Sequence, residues 1–311
     1  MNGKKLEEWY RCHLSGFDQW SEREHADKWL VFPQNIGSHL SIDETALTYD
    51  ELYTIITNKA AKGKKGALVA IVKGTKAEDV IGVLKQIEER LRNKVQEVTL
   101  DMAANMELIV RKSFPKAAIV TDRFHVQKLA SEALQDMRIA FRWQALDLEN
   151  KERELAKQSK LAYTPTIFDN GDTRAQLLIR SRYLLFKTEN KWTPNQRFRA
   201  EVLFKYYPQL EDAYKLTMGL RHIYHTTKDR TLAFTRLAHW FRKVEETGFE
   251  QFKTVKRTIG NHYRTILNFF TNRSTNAAAE SFNAKIKAFR ATLRGVKNIP
   301  YFLFRLTNIY A

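Results

Sequence analysis

Val95-Gln96-Glu97-Val98-Thr99-Leu100-Asp101, followed across one short helix by Ala117-Ala118-Ile119-Val120-Thr121-Asp122, decides the fold. Both segments are β-rich and apolar, and each ends on an aspartate. Residues 106–114 between them keep helical spacing. Strands joined by a helical crossover run parallel. Upstream, residues 77–91 place Val80, Val83, Leu84, Ile87 and Leu91 on one helical stripe, and downstream residues 125–143 repeat the pattern. Further upstream, 38–47, 52–57 and 67–72 alternate as strands with tight connections, an antiparallel meander. Five strands, some antiparallel and some parallel, make a mixed α/β sheet flanked by helices.

Residues 1–37 read as short helices that carry Trp9, Phe17, Trp20 and Trp29 and pack on the main domain. From 144 to 270 the strand signal vanishes. Charged and aromatic residues recur at helical spacing, as in residues 200–207 and 232–241, with loop signals at 163–165, 169–172 and 193–195. This is an all-α insertion, and the α/β domain resumes with residues 271–311. In Asn276-Ala277-Ala278-Ala279-Glu280-Ser281-Phe282-Asn283-Ala284-Lys285-Ile286-Lys287, one stripe holds Phe282, Ile286, Phe289 and Leu293. Ala277, Ala284, Ala288 and Ala291 form a second face. That pattern predicts a helix sandwiched between two layers, with Glu280 at the seam. Trp143, Trp192 and Trp240 read as core.

The chain has 311 residues with 52 Lys and Arg against 35 Asp and Glu, a formal charge of +17. The basic residues are spread along the chain, which favours a folded surface facing a polyanion, nucleic acid being the commonest. A single cysteine, Cys12, rules out an internal disulfide and a cysteine-based zinc ribbon within these residues. With no apolar leader and no membrane-length apolar run, a cytoplasmic, nucleoid-associated protein is expected.

Three acidic residues carry the chemistry. Asp43 sits mid-strand, Asp101 ends a strand, and Glu280 lies on the late helix. If the first and fourth strands are neighbours, Asp43 and Asp101 lie side by side, and two such carboxylates need a cation between them. Bridging divalent ions answer that need and suit phosphodiester chemistry. Glu44 follows Asp43 and faces the opposite side of the strand, so it is excluded. Asp122 either supports the site or is an alternative ligand. His125 either orients water and DNA or is a helix-start histidine satisfied locally. Lys62, Lys64 and Lys65 at a hairpin tip are phosphate contacts or a solvated turn. Lys285, Lys287, Arg290, Arg294 and Lys297 form either a DNA path or a solvated basic face.

These motifs resemble those of bacterial insertion-sequence DDE transposases, in the ribonuclease-H-like superfamily that includes retroviral integrases. The carrying residues are Ser41-Ile42-Asp43-Glu44, Leu100-Asp101-Met102-Ala103, Phe114-Pro115-Lys116-Ala117 running into Asp122-Arg123-Phe124-His125-Val126, and Ala279-Glu280 through Lys287. The resemblance implies a ribonuclease-H-like sheet split by the insertion, with 38–143 and 271–311 forming one catalytic domain. It implies that Asp43, Asp101 and Glu280 bind two Mg²⁺, for which Mn²⁺ can substitute, and cleave and transfer DNA strands. It also implies a homodimer holding two element ends. A superfamily nuclease without strand transfer, and a non-catalytic DNA-binding descendant, are the alternatives. The branch it most resembles carries a zinc ribbon and a helix-turn-helix ahead of the first aspartate. With one cysteine here, a separate zinc-ribbon or helix-turn-helix polypeptide is expected to recognise the ends.

Overall fold

A computed structural model describes residues 3–48 and 51–311; the first two residues of the N-terminal extension lie outside it. The chain forms two compact units: the residues up to Asp122 with Arg264–Ala311, and Arg123–Tyr263. The boundaries therefore fall at Asp122 and Tyr263, against 143 and 270 read from the sequence.

The first unit opens with α1 (Gly3–His13) and β1 (Trp29–Val31). Then come β2 (His39–Ala46), β3 (Leu52–Asn58), β4 (Leu68–Lys73), α2 (Ala77–Leu84), α3 (Glu89–Arg92), β5 (Glu97–Leu100), α4 (Ala104–Ser113) and β6 (Ala118–Thr121). The strand order is β1-β4-β3-β2-β5-β6. The meander is antiparallel, and β2 pairs with β5, and β5 with β6, in parallel. The described sheet has six strands, not five. The extra one, β1, lies in the stretch read as helical and pairs with the edge of β4. Three residues are too few to show alternation, although Leu30 is fully buried.

The sheet is covered on both sides. One face carries Leu40, Ile42, Val98 and Leu100 against Val80, Leu84, Ile109 and Val110 of α2 and α4. The other carries Tyr53, Ile55, Leu68 and Ile71 against Phe282, Ile286, Phe302 and Leu303 of the C-terminal helices. Central strands buried on both faces tolerate few polar side chains, so the polar residues that do occur on β2 and β5 call for a reason.

The second unit is helical. The α5 helix (Arg123–Gln158) runs 36 residues, well past the expected end at 143. Next come α6 (Arg174–Arg180), α7 (Pro194–Tyr206), α8 (Pro208–Thr226), α9 (Arg230–Thr247) and α10 (Glu250–Asn261). Thr173 and Thr193 close capping boxes with Gln176 and Gln196, and Asp229 caps α9. Gly248 ends α9 in the left-handed conformation, φ 70°, as helix C-termini favour. Trp240 is buried, but Trp143 is 58% exposed, which corrects its reading as core. Its ring instead lies under the guanidinium of Arg142.

The chain returns to the first unit through α11 (Tyr263–Asn272), α12 (Ala277–Thr292) and α13 (Ile299–Tyr310). Phe282 and Ile286 are fully buried, and Phe289 and Leu293 pack against the same cluster. The second face departs from expectation: Ala277, Ala284, Ala288 and Ala291 are exposed, so α12 lies over the sheet and is not sandwiched. Phe282 packs edge-on to Tyr310, ring centres 5.1 Å apart. Phe282→Ala is expected to lower stability by about 3–5 kcal/mol, read as a shift of the urea midpoint.

Candidate active site

The first carboxylate is placed by β2. Asp43 Oδ1 accepts the Glu44 backbone N–H at 2.8 Å, and Asp43 Oδ2 accepts from Asn283 Nδ2 on α12 at 2.7 Å. Asn283 is itself buried. This single contact joins the middle of the central strand to the late helix, 240 residues away. Nothing in the sequence reading flagged Asn283; the available signal was its position one helical turn after Glu280.

The second carboxylate follows from register. In the parallel β2–β5 pair, Ser41 lies opposite Thr99. The ladder ends there, and Asp43 and Asp101 each lie two residues beyond it along their chains. Asp101 Oδ1 accepts the Ala103 N–H at 2.8 Å, which turns the chain away from the strand end. Glu44 faces α4, as alternation requires, and takes a hydrogen bond from Asn105 there. Its carboxyl is nevertheless held above the ordinary 4.5, first by burial, then by the charge of Asp101 and, more weakly, that of Asp43. The end of this strand pair therefore crowds negative charge from both faces. Sequence alternation excluded Glu44 by direction and overlooked that Coulomb forces cross a sheet.

Glu280 is exposed on α12, three residues before Asn283. Residues three apart share a helix face and lie about 4.5 Å apart along the axis. Glu280 is thus on the face that meets Asp43, one turn nearer the helix start. The expectation of a buried, seam-forming Glu280 is corrected by this exposure.

The approach to α12 is tied to the sheet by polar contacts. Glu97 on β5 is buried, and its carboxylate meets Lys59 Nζ at 3.3 Å and Asn272 Nδ2 at 3.2 Å. Lys59 Nζ also donates to Thr99 Oγ1 at 2.6 Å. Burial acts to raise the Glu97 value, but hydrogen bonds from Ser274 and Asn272 and the Lys59 charge outweigh it and hold the carboxyl below 4.5. Asp122, also buried, accepts the Asn276 backbone N–H at 3.3 Å. Asn276 is the residue before α12 and makes no side-chain cap. The helix start is held instead by this tie to Asp122. The other Asp122 oxygen and both side-chain polar atoms of Asn276 are buried with no hydrogen-bond partner among the described residues.

The basic candidates divide. Lys285 Nζ donates to the Gly63 carbonyl at 2.6 Å, and Arg290 to the carbonyls of Ala46 and Leu47 at 3.2 Å each. These two brace α12 against the ends of neighbouring strands. Lys62, Lys64, Lys65, Lys287, Arg294 and Lys297 are exposed. His125 lies at the start of α5, edge-on to Phe124.

A family model for transposases of the DDE ISL3 type matches residues 40–306, most of the chain and all three acidic candidates. This chain belongs to that transposase family. No curated protein matches it. Membership makes it a DNA transposase in general and, with the mixed sheet, accounts for the ribonuclease-H-like architecture. Among the described residues, no helix is long and apolar enough to cross a membrane.

The donor set suits a hard divalent cation, since carboxylate oxygens are what Mg²⁺ prefers, and the crowded charge at Asp43, Glu44 and Asp101 is what a cation relieves. Among the described residues, no three His, Cys, Asp or Glu side chains already stand close enough to enclose a metal ion. Glu97 offers a separate check on the frame. Its folded-state value is depressed, so its stabilisation is present above pH 4.5 and is lost as pH falls through the folded value. Glu97→Gln is expected to cost about 3 kcal/mol at neutral pH by stranding the Lys59 charge. The gap to the parent should narrow as urea midpoints are followed below pH 4.5.

Proposed function

We propose that this transposase-family chain is the catalytic protein of transposition. In this reading it hydrolyses one DNA strand at each element end and then joins the freed 3′-hydroxyl to target DNA. Water attacks the phosphorus and the 3′-oxygen leaves; then that 3′-hydroxyl attacks a target phosphorus and a new 3′-oxygen leaves. No covalent link to the protein is needed. The observation that supports the reading is the Asn283–Asp43 hydrogen bond, which ties the helix carrying Glu280 to the strand carrying Asp43, beside which β5 runs toward Asp101. Asp43 and Asp101 would hold the shared cations, and Glu280 would supply the third carboxylate. Bound Mg²⁺, or Mn²⁺ in its place, would activate the attacking hydroxyl and neutralise charge on the leaving oxygen. Asn283 keeps Asp43 turned toward α12, and the Glu44 N–H fixes its second oxygen.

The charge of +17 supports a DNA partner. A homodimer follows from the need to join two ends, and a separate recognition polypeptide would select them.

Asp43→Asn, Asp101→Asn and Glu280→Gln are each expected to abolish Mg²⁺-dependent cleavage and strand transfer on pre-cleaved ends while duplex affinity persists. Undiminished strand transfer in any of the three would remove that residue from the site. Cleavage without joining in the parent would favour the nuclease reading. Asn283→Ala is expected to lower the rate about 10–100-fold, as loss of a group orienting a metal ligand does, with a higher Mg²⁺ requirement as the accompanying readout.

A further inference from the structure

The helical unit carries 26 Lys and Arg against 16 Asp and Glu, a net of +10 within residues 123–263. Part of that charge is gathered on one surface. Two adjoining clefts, of about 340 and 900 Å³, share Gly219 and His222 of α8. On the α9 side, Arg236, His239 and Lys243 follow one another at helical spacing and line the smaller cleft. On the other side Lys191 and Arg221 line the larger one. Glu189 is the one acidic residue lining either cleft.

Gly219 lies beside Trp240 where α8 and α9 approach. Trp240 forms the floor, is buried, and donates its ring N–H to the Leu216 carbonyl at 2.8 Å. Two cations are positioned by bonds that use only one guanidinium nitrogen. Arg236 Nη1 donates to Thr226 Oγ1 and Thr227 Oγ1 at 3.0 and 2.8 Å, and Arg221 Nη1 to the Phe186 carbonyl at 2.9 Å. A guanidinium has five N–H donors, so the remaining ones can serve a ligand. Lys191, Lys243, His222 and His239 are exposed.

We propose that this α8–α9 groove is a second DNA-binding surface, gripping the phosphates of duplex DNA without reading sequence. The proposal rests on the reading that the chain acts on DNA. The groove's sign suits a polyanion. Trp240 is buried, and Phe186 is the exposed ring lining the larger cleft; one ring cannot stack successive bases, which favours the backbone of paired DNA over single strands. Helices of 18 and 19 residues span about 27–28 Å, long enough to follow several successive phosphates.

The test is a salt series on the full chain. Binding of a fluorescent 30-base-pair duplex of arbitrary sequence is followed by anisotropy for the parent, Lys191→Ala/Lys243→Ala and Lys191→Arg/Lys243→Arg. Each phosphate contact contributes about 0.9 to the slope of log affinity against log salt. The alanine pair is expected to reduce that slope by about 1.8 and to weaken binding at low salt at least tenfold, with an unchanged melting temperature. The arginine pair should retain the parental slope. An unchanged slope in the alanine pair, with strand cleavage intact, overturns the groove and leaves the proposed function standing. An unchanged DNA slope with lost retention on immobilised poly-glutamate overturns it in favour of an acidic protein partner. A parent chain that binds no duplex at any salt overturns both the groove and the function it rests on.

Discussion

Parallel pairing of β2 with β5 is the constraint on which the first unit depends. A parallel pair cannot be closed by a tight turn, so β3, β4, α2 and α3 must intervene between its two strands in sequence. That detour places β2 in the interior of the sheet, flanked on both sides. The late helix is anchored to this same interior strand, by Asn283 at Asp43 and by Arg290 at the Ala46 carbonyl.

The interior position of β2 sharpens the meaning of its polar residues. Ser41, Thr45, Thr57 and Thr99 are buried on strands that packing alone would fill with aliphatic side chains. Around them, Lys59 and Glu97 form a charge pair that is largely out of water. Such pairs bring little net stability over a hydrophobic substitute but are costly to break. Their position beneath the segment leading into α12 ties that segment to β5 in one arrangement.

Much of this was legible in the residues. The meander and the parallel crossovers followed from alternation and helical spacing. The buried stripe of Phe282 and Ile286 followed from spacing as well. What escaped had local reasons. β1 is too short for periodicity. The alanine face of α12 was read as a contact surface, although small residues are equally at home in water. The bracing bonds of Lys285 and Arg290 escaped because composition shows charge but not the backbone carbonyls it meets. Asn283 was overlooked because an amide between two apolar residues has no pattern of its own. The long reach of α5 escaped because the residues beyond Trp143 are mostly charged or polar and leave little apolar stripe to read.

The Lys59–Glu97 pair and the α8–α9 groove respond oppositely to ions in solution. Dissolved salt screens charges that face water over roughly 8–10 Å but scarcely reaches a pair shielded by protein. A rise in ionic strength therefore loosens whatever polyanion lies against the exposed cations while the frame beneath α12 keeps its shape. Release and structural integrity are decoupled: a polyanion held by exposed cations can leave while the frame beneath α12 stays intact.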